Sequence, residues 1–144
     1  MDDAYQLDIQ ESIPQDAEKI LSDGLNENDF EVKGMAPVRT FSILIRDKDK
    51  KILGGVEGVT LFGCVHVDML WVKKILRHQG WGKRLMLEAE KIGRERGCTF
   101  ATVNTMDWEA KDFYLKLGYG VEFQRAGYDN DSIFYFLKKE FISL

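Results

Sequence analysis

At 144 residues the chain has room for one domain and little for a second. A content of 44% hydrophobic and 12% aromatic residues supports a packed core and excludes a disordered chain. The net charge of -4, from 20 basic and 24 acidic residues, argues against a nucleic-acid partner, which wants a basic excess. Cys64 and Cys98 belong to no CxxC or Cys/His cluster, so neither a disulfide framework nor a zinc or other metal site is expected. Two buried thiols in a reducing cytosol are the expectation. No apolar run approaches the ~20 residues of a membrane helix. The N-terminal MDDAYQLDIQ has no apolar signal core, so a cytoplasmic setting without a membrane partner is expected.

In chain order, Tyr5 to Gln10 alternates weakly and is expected as a first strand. Ser12-Ile-Pro-Gln15 has the form of a capping box, and Ala17, Ile20, Leu21 and Leu25 follow at helical spacing. That helix is expected to end near Asn26 to Asn28, with loop or a short helix up to Pro37. Arg39 to Arg46 reads as a strand, Asp47 to Lys50 as a charged turn, and Lys51 to Phe62 as the returning strand of a hairpin. Gly54, Gly55 and Gly58 within it point to a bulge or a close approach. Cys64 to Val72 is a fourth strand. Gly82 to Arg96 is an amphipathic helix with Leu85, Met86, Ala89 and Ile92 on one side and Gly97 as its C-terminal cap. Thr99 to Thr105 is a fifth strand. Asp107 is placed to cap a helix running to Leu117. Gly120 to Ala126 and Ser132 to Lys139 complete seven strands joined by a hairpin tip at Asp129 to Asp131. The order is that of a mixed α/β domain, and residues 1–144 are expected as a single one.

The most informative stretch runs from Leu70-Trp71-Val72 to Arg77-His78-Gln79-Gly80-Trp81-Gly82-Lys83-Arg84. A strand ends, a short loop follows, and glycines open a long helix. The first N–H groups of a helix lack internal partners, and its dipole favours negative charge there. Glycines leave no Cβ between backbone and ligand. Arg77, Lys83 and Arg84 add positive charge, so a pyrophosphate is the expected ligand. A Walker loop requires Ser or Thr after Gly-Lys, where Arg84 stands, and a GxGxxG is also absent.

Arg77-x-x-Gly80-x-Gly82 after a strand ending L-x-V resembles the GNAT superfamily of acetyl-CoA-dependent N-acetyltransferases. Asn104 and Ala110-x-x-Phe113-Tyr114-x-x-x-Gly118-Tyr119 resemble its second motif. The resemblance implies a mixed, mostly antiparallel sheet of about seven strands with flanking helices, its fourth and fifth strands splayed into a V-shaped slot. It implies that amides from Arg77 through His78, Gln79, Gly80, Trp81 and Gly82 to Lys83 hold the pyrophosphate of acetyl-CoA. The backbone of Leu70, Trp71 and Val72 would pair with the pantetheine arm, and an N–H near Leu70 would polarise the thioester carbonyl. Phe113 belongs to the same cofactor-binding set, and Asn104 either meets the pantetheine or makes a strand-end hydrogen bond. Trp81 packs under the loop or flanks the cofactor. Tyr114 matches the tyrosine that protonates the departing thiolate, or packs on its helix face beside Phe113 and Leu117.

An ammonium has no lone pair, so the acceptor amine needs a base or a water chain. Alternation along the fourth strand puts His66, Asp68, Leu70 and Val72 on one face. Val65, Val67, Met69 and Trp71 take the other, which looks like core. His66 suits a base near neutral pH, and Asp68 could orient it or act through water. Both also read as a solvated strand face. Glu57 is a weaker candidate, and neither cysteine has the partners of a nucleophile. The expected reaction is direct acetyl transfer, in a ternary complex, to a primary amine of a small molecule or peptide, with no metal. The alternative is a CoA-binding sensor that turns nothing over. Trp108, Phe123 and Tyr128 either shape an acceptor pocket or pack, and a homodimer is common among such proteins. Lys73, Lys74, Arg77, Lys83 and Arg84 gather around the glycine loop, which leaves the remaining surface more acidic and favours a cationic amine.

Overall fold

The computed structural model describes residues 4–142, which divide after Pro37 into two compact units. In the first, helix α1 spans Gln15–Lys33 with Pro14 as its N-cap. The proline explains why the capping box at Ser12 is not used: its fixed φ and its effect on the preceding residue keep the helix from starting earlier. No breaker stands between Asn26 and Lys33, so α1 outruns its expected end and stops at Gly34, whose φ of 67° is left-handed. Tyr5 to Gln10 forms no strand, which corrects the seven-strand expectation. The run finds no ladder partner, and Tyr5, Leu7 and Ile9 stay exposed.

The second unit is built on strands β1 (Arg39–Arg46), β2 (Ile52–Leu61), β3 (Cys64–Val72), β4 (Phe100–Met106), β5 (Gly120–Tyr128) and β6 (Ser132–Glu140), with helices α2 (Trp81–Glu95) and α3 (Lys111–Lys116). The six strands form one mixed sheet in the order β1-β2-β3-β4-β6-β5. All neighbours are antiparallel except β3 and β4. Asp47 makes the first turn: its carboxylate accepts the N–H groups of Asp49 and Lys51 at 2.8 and 2.9 Å. The core lies on one face of the sheet. Val56, Val65, Val67, Ala101, Val103 and Leu137 face Leu85, Met86 and Ala89 of α2, with Tyr114 and Tyr119 completing the cluster.

Two irregularities in the middle of the sheet position the site. The first is a β-bulge. Gly58 of β2 pairs with Val67 and Glu57 pairs with Met69, so Asp68 is the extra residue. One inserted residue reverses the side-chain parity beyond it. Val65 and Val67 face the core before the bulge; Leu70 and Val72 pack against it afterwards. The expected alternation therefore fails at its C-terminal half, and Met69 and Trp71, expected in the core, are 60% and 54% exposed. The glycines of β2 explain how the bulge is tolerated: a Cβ at Gly58 would run into the His66 carbonyl and lie 2.8 Å from Phe41 Cζ. The second irregularity is an early end to the one parallel ladder. It runs from Cys64↔Phe100 to Val67↔Val103 and stops, while β3 continues to Val72 and β4 to Met106. The strands part where Asp68 begins, which is the splay expected between the fourth and fifth strands of the sequence reading.

Candidate active site

Beyond Val72 the chain makes a short 3-10 turn at Lys74–Leu76 and enters α2 through Gly80. Arg77 folds back, and its Nε donates to the Val72 carbonyl at 2.9 Å, tying the loop to the end of β3. Gln79 Nε2 donates to the Ile75 carbonyl at 3.0 Å. His78 and Gly80 both take left-handed backbone, at φ 62° and 88°. Gly80 is the N-cap and supplies no side-chain acceptor, so the first amides of α2 are left for another partner.

These residues open on a cavity of about 600 Å³. Leu70, Trp71 and Val72 wall it on the strand side; Arg77, His78, Gly80, Trp81, Gly82 and Lys83 wall it on the loop side; Phe113 closes it from α3. Every cofactor residue expected from the sequence except Gln79 and Asn104 lines this one space. Leu76, Glu109 and Ala110 line it as well, and sequence reasoning missed them. Ala110 stood in the second motif, and Glu109 directly before it was the available signal. Gly82 matters sterically: a Cβ there would lie 3.2 Å from Phe113 Cζ, so a side chain would narrow the cavity between α2 and α3. Trp81 packs against the core cluster and walls the cavity, with the Arg84 guanidinium 4.7 Å over its ring.

The approach to α3 departs from expectation. Asp107 does not cap it; the helix starts at Lys111 with Ala110 as N-cap. Thr105 and Glu109 satisfy the turn instead. Thr105 Oγ1 accepts the Ala110 N–H at 3.2 Å, and the Glu109 carboxylate accepts the Met106 N–H at 2.8 Å. Tyr114 is buried behind Phe113, with ring contacts of 5.2 Å to Phe113 and 5.8 Å to Tyr119. Burial, helped by the Glu109 charge, pushes its phenol up from 10.0 to about 12, so it keeps its proton throughout the neutral range.

His66 and Asp68 lie together. His66 Nε2 is 3.6 Å from Asp68 Oδ1, and His66 Nδ1 is 2.7 Å from Thr102 Oγ1. Asn104, two residues beyond Thr102, shares its face of β4, away from the buried Val103 and Thr105. Because of the bulge, His66 does not share a face with Leu70 and Val72 as expected. It sits across the sheet from α2, and Asp68 stands where the slot between β3 and β4 opens.

A helix N-terminus thus faces a cavity at the end of a splayed parallel strand pair. The sequence profile of the acetyltransferase (GNAT) family matches residues 5–119, and the chain belongs to that family. It is an acyltransferase. An acetyltransferase of Agrobacterium fabrum is 34% identical over 104 residues, covering 72% of this chain and 76% of the relative. A blasticidin-S acetyltransferase of Streptomyces morookaense is 34% identical over 84 residues, covering 58% of this chain and 62% of the relative. The crystal structure of a candidate acetyltransferase from Agrobacterium tumefaciens superposes with a TM-score of 0.81 at 28% identity, covering 95% of this chain and all of that one. Solved structures of the same fold include complexes with acetyl-coenzyme A and coenzyme A, at 19% and 21% identity. Among the described residues no helix is long and apolar enough to cross a membrane.

Proposed function

We propose that this acetyltransferase takes its acetyl group from acetyl-CoA and passes it directly to a primary amine of a small molecule. The observation that carries the reading is the single cavity joining the free edge of β3 to the uncapped start of α2. Acetyl-CoA supplies an activated thioester when bound. Amides at the start of α2 suit its pyrophosphate, and the edge from Asp68 to Val72, left by β4, suits its pantetheine arm as an added strand. An N–H near Leu70 would polarise the thioester carbonyl.

The slot lets a thioester held from the α2 side meet a base on the opposite side. Asp68 and His66 stand at that opening. One of them takes a proton from the ammonium, the freed nitrogen pair forms the C–N bond, and the C–S bond breaks. The family resemblance implies that Tyr114, buried behind Phe113, gives its proton to the departing thiolate, and its phenol is still protonated in the neutral range. The amide nitrogen releases its surplus proton to water. Both cysteines are free thiols, which supports a reducing, cytoplasmic setting.

The blasticidin-S relative supports an amine-bearing antibiotic or similar cation as the acceptor. A thiol-release assay with acetyl-CoA and blasticidin S, kanamycin, spermidine and an N-terminally free peptide tests the reading. Release with at least one amine is expected. Tight CoA binding with no release from any of them would favour the sensor alternative.

A further inference from the structure

Thr102 contacts His66 from the neighbouring strand and takes no part in the reaction described so far. Its hydroxyl oxygen sits 2.7 Å from His66 Nδ1 and 3.3 Å from Cys64 Sγ. With the 3.6 Å approach of His66 Nε2 to Asp68, these contacts make a chain of four side chains across β3 and β4. All four stand on the face of the sheet away from α2, and the chain ends at Asp68, where the strands part.

A neutral imidazole carries one N–H and one lone pair, and the partners decide which nitrogen carries which. A carboxylate oxygen near Nε2 favours an N–H there and disfavours a lone pair. Nδ1 then holds the lone pair and needs a donor, which the Thr102 hydroxyl supplies. Thr102, having given its only hydrogen, accepts from the Cys64 thiol. The thiol can donate, because burial pushes it up and keeps it protonated. The reverse order would aim the Nε2 lone pair at the Asp68 carboxylate. Only the first arrangement turns an N–H toward Asp68.

We propose that Thr102 is a positioning residue for acetyl transfer: it holds His66 as the Nε2–H tautomer, so that His66 steadies Asp68 and Asp68 takes the proton from the amine. The inference rests on the acetyl-CoA reading above and divides a task that the sequence left between two residues. Neutral His66 has its only lone pair committed to Thr102. Asp68, half-exposed at the slot, has lone pairs to offer. The cationic amine favoured by the acidic surface meets a carboxylate first, which both binds it and accepts its proton. The proton passes from the ammonium nitrogen to a carboxylate oxygen, and the freed nitrogen pair attacks the acetyl carbon.

Two measurements test this. Ring ¹⁵N NMR at about pH 8, above the ordinary histidine range, reads the tautomer without any turnover. The chain has two histidines, and His78→Asn, which keeps a residue tolerant of left-handed backbone, identifies the His66 signals. The proposal expects a protonated Nε2 and a hydrogen-bonded, unprotonated Nδ1. In Thr102→Val the Nδ1 signal should move to its value without a donor, and in Thr102→Ser it should return. A protonated Nδ1 in the wild-type protein would overturn the proposal whatever the enzyme acetylates. The second measurement is steady-state kinetics with blasticidin S and acetyl-CoA. Thr102→Val should lower kcat about tenfold with the KM for acetyl-CoA unchanged, Thr102→Ser should restore it, and Asp68→Asn should cost about a hundredfold. A full kcat in Asp68→Asn, or a Thr102→Ser no better than Thr102→Val, would also overturn it. Absence of turnover with every amine would instead count against the acetyl-CoA reading and leave the NMR result to decide the tautomer.

Discussion

Gly82 and Tyr114 are the residues on which the proposed chemistry leans hardest. Replacing Gly82 by Asp puts a carboxylate among the amides at the start of α2 and pushes a Cβ toward Phe113 Cζ, 3.2 Å away. Affinity for CoA should fall by roughly a hundredfold, about 2.8 kcal/mol, by calorimetric titration of a variant with unchanged circular dichroism. Tyr114→Phe keeps the ring contacts and removes the proton donor. Its kcat should drop by about a hundredfold while the KM for acetyl-CoA holds. The same phenol makes a pH prediction. Folded Tyr114 keeps its proton up to about 12, against 10.0 for the ordinary group. The folded state thus binds a proton that the unfolded chain has released. Stability is fully present below pH 10 and declines as pH rises through the window up to about 12. Tyr119 is shifted the same way by burial and by Glu90. Urea melts across this range should show the decline, and Tyr114→Phe should make it shallower; a wild-type midpoint unchanged to about pH 11 would contradict the account.

At the scale of elements, the bulge at Asp68 sets which side chains meet which space. A Cβ at Gly58 has nowhere to go between the His66 carbonyl and Phe41, so Gly58→Ala should cost about 3 kcal/mol, visible as a lower Tm. The regular elements were legible because their signals are local. The turn at Asp47, the strand Arg39–Arg46 and the helix opening at Gly80 follow from residue type and spacing. The parity change was not legible, because one inserted residue in β3 leaves no mark on β3 itself. Its trace is in the partner strand, where Gly58 lies against the His66 carbonyl, and the glycines of β2 signalled a bulge without saying which strand carried the extra residue. The strand expected at Tyr5 to Gln10 failed for a related reason: alternation describes a surface, and a ladder requires a neighbour. Much of the candidate site was readable from two short motifs, since they fix backbone shape. Thr102, Glu109 and Leu76 were not, because their places depend on contacts between strands and loops distant in sequence.

For the sheet unit as a whole, a buried ion pair joins elements that the chain visits far apart. Glu90 of α2 is 1% exposed and accepts from Lys139 Nζ of β6 at 2.8 Å and from the Tyr119 hydroxyl at 2.9 Å. Removing one partner strands the other charge, so Glu90→Ala should destabilise by about 3–5 kcal/mol. Glu90→Gln combined with Lys139→Met should recover part of that loss in the same denaturation assay. The network ties α2 to β6 and to the turn after α3, and Tyr119 carries it to the ring of Tyr114 at 5.8 Å.

The parallel ladder that ends at Val67 and Val103 has a thermodynamic consequence. If acetyl-CoA completes the sheet there, donor binding is also the last step of folding, and the two equilibria are linked. Melting temperature would then climb with the logarithm of donor concentration, by the equivalent of about 2.7 kcal/mol at a hundred times Kd.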